Sequence, residues 1–195
     1  MKQDVTAGVV QFNIKIGNID ANIETAVAGL RRLATQNVQI ALLPEMWSCG
    51  YDYRNLSHLA EETPRILELL KKLSAELNLV IVGSLPEKEK DTLYNTLYVA
   101  DEGTIVDSYR KLHMFSTMGE DRFLSPGDRV CVVPTSAGRL GLAICYDLRF
   151  PELFRKMALE GAEILCVPAE WPKPRQEHWI SAPSRAILRN NSGKR

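Results

Sequence analysis

Short apolar segments of strand character alternate with amphipathic segments of helical periodicity along this chain, and the alternation restricts it to few fold classes. An all-α bundle would lack the strand-like segments, and a pure β-sandwich would lack the amphipathic ones. The sequence therefore predicts an α/β (α+β) fold.

The predicted strands recur from the amino terminus to residue 169. Two pairs of strands form hairpins, because a short turn of Gly, Asp or Ser separates their members. The predicted strands are 5–12, 38–45, 79–87, 92–100 with 104–111, 129–135 with 139–145, and 163–169.

Helical periodicity marks three segments between these strands. In the first, Ile23, Val27, Leu30 and Ala34 recur at helical spacing, and Asp20 is available as a cap. The second covers 63–78, with Thr63 as predicted N-cap and Pro64 at the first helical position. The third begins at Pro151 and stops at Gly161.

Charge, hydropathy and cysteine spacing exclude several classes of function. Lys plus Arg and Asp plus Glu both number 24, so no net positive field attracts a phosphate backbone, and we expect no nucleic-acid partner. No apolar run approaches the roughly 18 residues of a membrane span, and Asp4 lies where a signal peptide needs apolar residues. Because the four cysteines form no Cys-x-x-Cys pair, we expect reduced thiols in a soluble, cytoplasmic protein.

Three reactive side chains stand at comparable places, each where a predicted strand ends and a loop begins. They are Glu45, Lys111 and Cys145. Open α/β sheets build ligand sites at such strand ends. A thiol needs a base or a neighbouring cation to become a nucleophile near neutral pH, and Glu45 and Lys111 are candidates for these two roles.

The same residues also have simpler interpretations. An isolated Cys at a strand end is more often a small buried hydrophobic residue than a nucleophile, and a Glu or Lys in a loop is usually a solvated charge. A papain-like pair would need one of His58, His113 and His178 beside the cysteine, and no local pattern selects one. No Cys or His pair has the close spacing of a structural zinc site, so we expect no metal.

Three segments resemble the catalytic blocks of the nitrilase superfamily of carbon-nitrogen hydrolases, in that family's order. They are "LLPEMW" around Glu45, "YRKLHMF" around Lys111 and "ICYDLRFPELFR" around Cys145. The intervening "GSLPE", "YNTLYV" and "GEDRFLSPGD" are similar to the family too, and the resemblance covers residues 5 to about 179. Within the family the chain is most similar to the omega-amidase-like branch, through "WSCGYDY", "CYDLRFPELFR" and "PAEWP".

This resemblance implies an amidase that cleaves the C–N bond of a small omega-amide of a carboxylic or keto acid, giving acid and ammonia. Cys145 would form a thioester, and Glu45 would act as the general base. Lys111 and the backbone N–H of Tyr146 would stabilise the oxyanion. Glu120 matches a second glutamate of the family's site, with a solvated loop charge as the alternative.

The resemblance also carries expectations about fold and partners. The family fold is an α-β-β-α sandwich of two sheets with helices outside. The amide substrate and water are the implied partners, no cofactor is needed, and family members tend to form homo-oligomers. We expect Asp147 and Arg149 to pair and fix the turn after the nucleophile rather than to react.

The carboxyl end departs from the family pattern after "EHW". We therefore expect residues 1–179 to form a carbon-nitrogen hydrolase domain whose sandwich is incomplete at its C-terminus, and residues 180–195 to form an atypical polar tail. Pro183 would interrupt an amphipathic helix in that tail. Absent final strands would leave sheet edges uncovered. The alternative to an amidase is thus a catalytically inactive, truncated fragment of such a hydrolase.

Overall fold

The computed structural model of this chain describes residues 4–171 and the backbone of residues 188–189. Its helices are α1 (Ile19–Ala34), α2 (Leu56–Leu59), α3 (Thr63–Leu77) and α4 (Pro151–Leu159). Its strands are β1 (Ala7–Val9), β2 (Ile40–Leu42), β3 (Val80–Glu89), β4 (Thr92–Asp101), β5 (Thr104–Arg110), β6 (Val132–Thr135), β7 (Gly138–Leu142), β8 (Ile164–Cys166) and β9 (Leu188–Arg189). None of the helices in the described part of the chain has the length and apolar content needed to cross a bilayer.

The described strands form two mixed sheets. The first has the order β1-β2-β3-β4-β5, with β1, β2 and β3 parallel and β4 and β5 added as antiparallel hairpins. The second has the order β6-β7-β8-β9, in which β7 and β8 are parallel and the outer pairs are antiparallel. Parallel strands joined through helices put several strand ends at one edge of each sheet.

Three apolar clusters define four layers. Helices α1 and α3 pack through Leu30 and Ile66 on one face of the first sheet. The other face meets the second sheet through residues such as Val82 and Leu142. Helix α4 covers the outer face of the second sheet through Met157. The predicted α/β class and the α-β-β-α layering are therefore confirmed.

Both predicted helix caps are wrong, although the helices themselves are confirmed. The Asn18 side chain caps α1 by accepting a hydrogen bond from the Ala21 N–H, while Asp20 lies inside the first turn. Thr63 belongs to the first turn of α3, and its buried hydroxyl donates to the Pro86 carbonyl at 2.5 Å. The Thr63 side chain thus forms a buried tertiary hydrogen bond in place of the capping bond that the local sequence predicts.

Several strand predictions need correction. The predicted strands 5–12, 38–45, 129–135 and 163–169 are shorter in the structure, as β1, β2, β6 and β8, so Glu45 lies in the loop after β2 and does not close a strand. The segment 79–87 extends to Glu89 and forms a long hairpin with β4, which was not predicted. The strand predicted to reach Cys145 stops at Leu142, and Cys145 instead begins a short 3-10 turn, Cys145–Arg149.

The predicted polar tail, 180–195, lies outside the described residues except for the backbone of β9, which pairs with β8. The departure after "EHW" and Pro183 also lie outside them.

Candidate active site

The ends of β2, β5 and β7 bring together the three reactive side chains predicted from the sequence. Glu45 follows β2 by three residues, Lys111 follows β5 directly, and Cys145 follows β7 by three residues. Glu45 and Lys111 are completely buried, and the Lys111 Nζ atom lies 2.9 Å from Glu45 Oε1. A solvated loop charge is thus excluded for both residues.

Glu120 completes a buried cluster around the same ammonium group. Both of its carboxylate oxygens accept hydrogen bonds from Lys111 Nζ at 2.8 Å, and Oε2 also accepts from the Phe115 N–H at 2.7 Å. Only 2% of Glu120 is exposed, so it is not the solvated loop charge of the alternative interpretation. An ammonium group has three N–H donors, and these carboxylates occupy all three.

Two further groups fix the Glu45 carboxylate. Asn95 on β4 donates its side-chain N–H to Oε1 at 2.9 Å, and the Glu170 backbone N–H donates to Oε2 at 3.1 Å. The next residue, Met46, has a left-handed backbone (φ 49°), and its N–H donates to the Ser84 hydroxyl on β3. Such a backbone is unfavourable outside glycine, and here the fixed turn directs the glutamate inward.

A second left-handed residue carries the nucleophile. Cys145 has φ 43°, and its N–H donates to the Pro168 carbonyl after β8 at 2.9 Å. The Tyr146 N–H lies in the first turn of the 3-10 segment, where helical N–H groups lack an internal acceptor. The oxyanion role of the Tyr146 N–H stays a prediction.

Asp147 holds this turn against β5 and the loop after it. Its Oδ2 atom accepts from the Ile144 N–H and the Tyr109 hydroxyl, both at 2.8 Å. Its Oδ1 atom accepts from the His113 N–H at 3.0 Å and lies 2.7 Å from the His113 ring nitrogen Nδ1. The predicted pairing of Asp147 with Arg149 is therefore wrong, and Arg149 instead lines the cavity described below.

Burial and local charge set the protonation of the cluster. Burial raises the pKa of the Cys145 thiol, and the neighbouring Glu45 carboxylate raises it further, although Lys111 acts in the opposite direction. Burial tends to lower the pKa of Lys111, but Glu45 and Glu120 outweigh it and leave the pKa raised. Burial also raises the pKa of Glu120, against the attraction of Lys111. The resting site thus combines a neutral thiol with a charged lysine.

A cavity of about 250 Å³ opens over Cys145. Its lining residues are Tyr51, Tyr53, Lys111, Phe115, Met118, Glu120, Cys145, Tyr146, Arg149, Glu170 and Trp171. The family-like segments "YNTLYV", "WSCGYDY" and "PAEWP" contain Asn95, Tyr51, Tyr53, Glu170 and Trp171. No role was predicted for these five residues, because their contacts with the cluster join parts of the chain that are distant in sequence.

Within residues 4–171, no three His, Cys, Asp or Glu side chains are arranged to hold a metal ion.

Comparison with known proteins identifies a family that this chain matches and relatives to which it is similar. Residues 6–189 match the family described as carbon-nitrogen hydrolase, and the match continues past residue 179, where the resemblance was expected to end. The 2-oxoglutaramate amidase of Bacillus subtilis (strain 168) is 37% identical over 179 residues, which cover 90% of this chain and 69% of that protein. Omega-amidase NIT2 of Homo sapiens is 35% identical, over 80% of this chain and 61% of that protein.

A solved structure shows the same fold. The Saccharomyces cerevisiae protein Nit3, a member of branch 10 of the nitrilase superfamily, superposes with a TM-score of 0.80 at 28% identity. The superposition covers 90% of this chain and 68% of Nit3. The four layers and the strand ends that carry the cluster thus belong to a known architecture.

Proposed function

Because this chain belongs to the carbon-nitrogen hydrolase family, we propose that its cavity hydrolyses the C–N bond of a small amide through a cysteine thioester. The observation that supports this most directly is the buried cluster of Glu45, Lys111 and Glu120 beside the Cys145 turn. Such a cluster supplies a base and a fixed positive charge to a thiol at the wall of a cavity.

In the first half of the reaction the Cys145 sulfur attacks the amide carbonyl, and Glu45 takes the thiol proton. A neutral thiol with a raised pKa makes this general-base step necessary, since little thiolate exists before substrate binds. The tetrahedral intermediate collapses as the C–N bond breaks, and Glu45 returns the proton to the departing ammonia. A thioester between Cys145 and the acyl group remains.

In the second half water attacks the thioester, and Glu45 takes one of the water protons. The C–S bond breaks, the carboxylic acid leaves, and the sulfur regains a proton from Glu45. Two moderate barriers thereby replace a single high one.

Lys111 and the Tyr146 N–H stabilise the oxyanion in both halves. All three Lys111 donors are occupied in the resting site, two of them by Glu120. One bond to Glu120 can be exchanged for a bond to the oxyanion while the other still holds the ammonium. Glu120 is thus a positioning residue for Lys111.

We propose an omega-amide of a short carboxylic or keto acid as the substrate. A volume of about 250 Å³ suits a small molecule, and the aromatic walls suit a short aliphatic chain. Arg149, which forms no ion pair within residues 4–171, is available for the carboxylate at the far end. The names of the Bacillus subtilis and human relatives agree with this class.

A cytoplasmic location fits the same proposal. Cys49, Cys131 and Cys166 are buried and unpaired, as is usual where thiols are kept reduced.

The proposal is tested with the wild type and the variant Cys145→Ala. We expect the wild type to release ammonia from succinamate, the monoamide of succinic acid, and the variant to release none above background. Intact-protein mass spectrometry after acid quench should show an acyl adduct on wild-type Cys145 alone. Equal turnover by the variant contradicts the assignment of Cys145, and labelling of Cys145 by iodoacetamide without turnover supports the inactive-fragment alternative.

A further inference from the structure

Glu170 is an acidic side chain of the cavity wall that the proposed reaction does not use. It follows β8 and the Pro168 carbonyl, and its backbone N–H binds the base Glu45. Its side chain reaches toward the loop after β2, since Oε1 lies 3.7 Å from the point where a Cβ on Gly50 would stand. The carboxyl group therefore borders both the cavity and the loop that carries the base.

The described part of the chain provides no ion pair for this carboxyl group. Its Oε2 atom is buried and has no hydrogen-bond partner within residues 4–171. No Lys, Arg or His in that range forms an ion pair with Glu170, whereas Lys111 is already shared by Glu45 and Glu120. A carboxyl group in such a place keeps its proton more firmly than one in water.

Several titratable and charged groups face Glu170 from the surrounding elements. The loop after β2 presents the Glu45 carboxylate, the Cys49 thiol and the Tyr53 phenol, which all interact with it electrostatically. The other charged or titratable residues that line the cavity are Tyr51, Lys111, Glu120, Cys145, Tyr146 and Arg149. Burial, and then repulsion from Glu45, raise the pKa of Glu170 to about 8.

We propose that Glu170 is a charge-selecting residue of this cavity: while uncharged it admits amides that carry a carboxylate, and once ionised it excludes them. The inference rests on the proposed function and adds to it a determinant of substrate class. Ionised Glu170 would be an anion at the cavity wall whose Oε2 atom is buried without a hydrogen-bond partner within residues 4–171, and repulsion of a second anion is stronger in such a low-dielectric place than in water. A neutral amide would be much less affected.

Two pairs of probes measure this selection. In turnover, the ratio of kcat/KM for succinamate to that for butyramide is followed from pH 6 to 9.5. The two substrates both have four carbons and differ in charge, so the effects of pH on the chemical steps that they share largely cancel in the ratio. In alkylation, the ratio of the Cys145 labelling rates by iodoacetate and iodoacetamide is followed over the same range, and this measurement needs no amidase activity.

We expect both ratios to fall on the order of tenfold in the wild type as pH rises through about 8. In Glu170→Gln, which keeps the shape of the side chain and cannot ionise, both ratios should stay constant. Glu24→Gln, an exposed position on α1, serves as the matched control and should behave as the wild type does.

The two proposals fail in different ways. Absence of turnover with both substrates rejects the amidase, while the alkylation ratio still decides the role of Glu170. A constant alkylation ratio in the wild type, or an equal fall in Glu170→Gln, overturns charge selection by Glu170 whether or not amides are hydrolysed.

Discussion

At the scale of single residues, one ammonium group holds two buried carboxylates. Lys111 is 1% exposed and binds three carboxylate oxygens at 2.8 to 2.9 Å. Removing one partner of a buried ion pair leaves the other charge uncompensated, which lowers the free energy of unfolding by roughly 3–5 kcal/mol. Lys111 therefore contributes to folding as well as to the proposed chemistry, and an experiment must separate the two.

Lys111→Met keeps the approximate length of the side chain and removes its charge. We expect the rate of amide hydrolysis to fall on the order of 10²-fold or more, because an oxyanion donor is lost. The free energy of unfolding should fall too, since Glu45 and Glu120 then lack a cation. Lys72→Met, at an exposed position on α3, is the matched control and should change neither quantity.

The double variant Lys111→Met with Glu120→Gln separates chemistry from stability. Removing the second charge should recover part of the lost free energy of unfolding in a urea titration, while activity stays low. Recovery of activity together with stability would show that Lys111 acts only as a structural counterion.

At the scale of elements, the sequence predicts the order of strands and helices well, and strand ends and turn geometry poorly. The apolar run Leu142, Ala143 and Ile144 continues the strand pattern, so Cys145 was predicted to close a strand. The turn that begins at the left-handed Cys145 contains Asp147, whose partners Tyr109 and His113 lie 38 and 34 residues away in the chain. Local patterns carry no information about such contacts, which is also why no role was predicted for Asn95 and Glu170.

Asp147→Asn tests whether these contacts hold the turn. The amide has one acceptor oxygen in place of two, so at least one buried donor among Tyr109, His113 and Ile144 loses its partner. We expect a loss of about 1–3 kcal/mol in the free energy of unfolding and slower labelling of Cys145 by iodoacetamide. Asp128→Asn, at an exposed position, is the control. Unchanged stability and labelling would show that the turn keeps its shape without Asp147.

At the scale of the whole molecule, the layer between the two sheets joins the strand ends that carry the cluster. Glu45 and Lys111 extend from the first sheet, and Cys145 extends from the second. Their mutual positions therefore depend on how the sheets pack, through buried residues such as Val82 and Leu142. The apolar strands of both sheets could be predicted from the sequence. Which face of one sheet packs against the other could not, because that contact forms only in the tertiary fold.

Leu142→Ala measures the contribution of this layer. Leu142 is fully buried between the sheets, so its truncation removes apolar contacts and leaves a cavity, at a cost of roughly 2–5 kcal/mol. For a chain of this size the melting temperature should fall by roughly 4–20 °C. Leu159→Ala makes the same chemical change at a position 81% exposed and should shift the melting temperature little.

Because Leu142 precedes the nucleophile by three residues, we also expect slower Cys145 labelling in Leu142→Ala well below its melting temperature. Equal melting temperatures for the two variants would contradict the four-layer core, and normal labelling with a lowered melting temperature would show that the turn holds Cys145 independently of sheet packing.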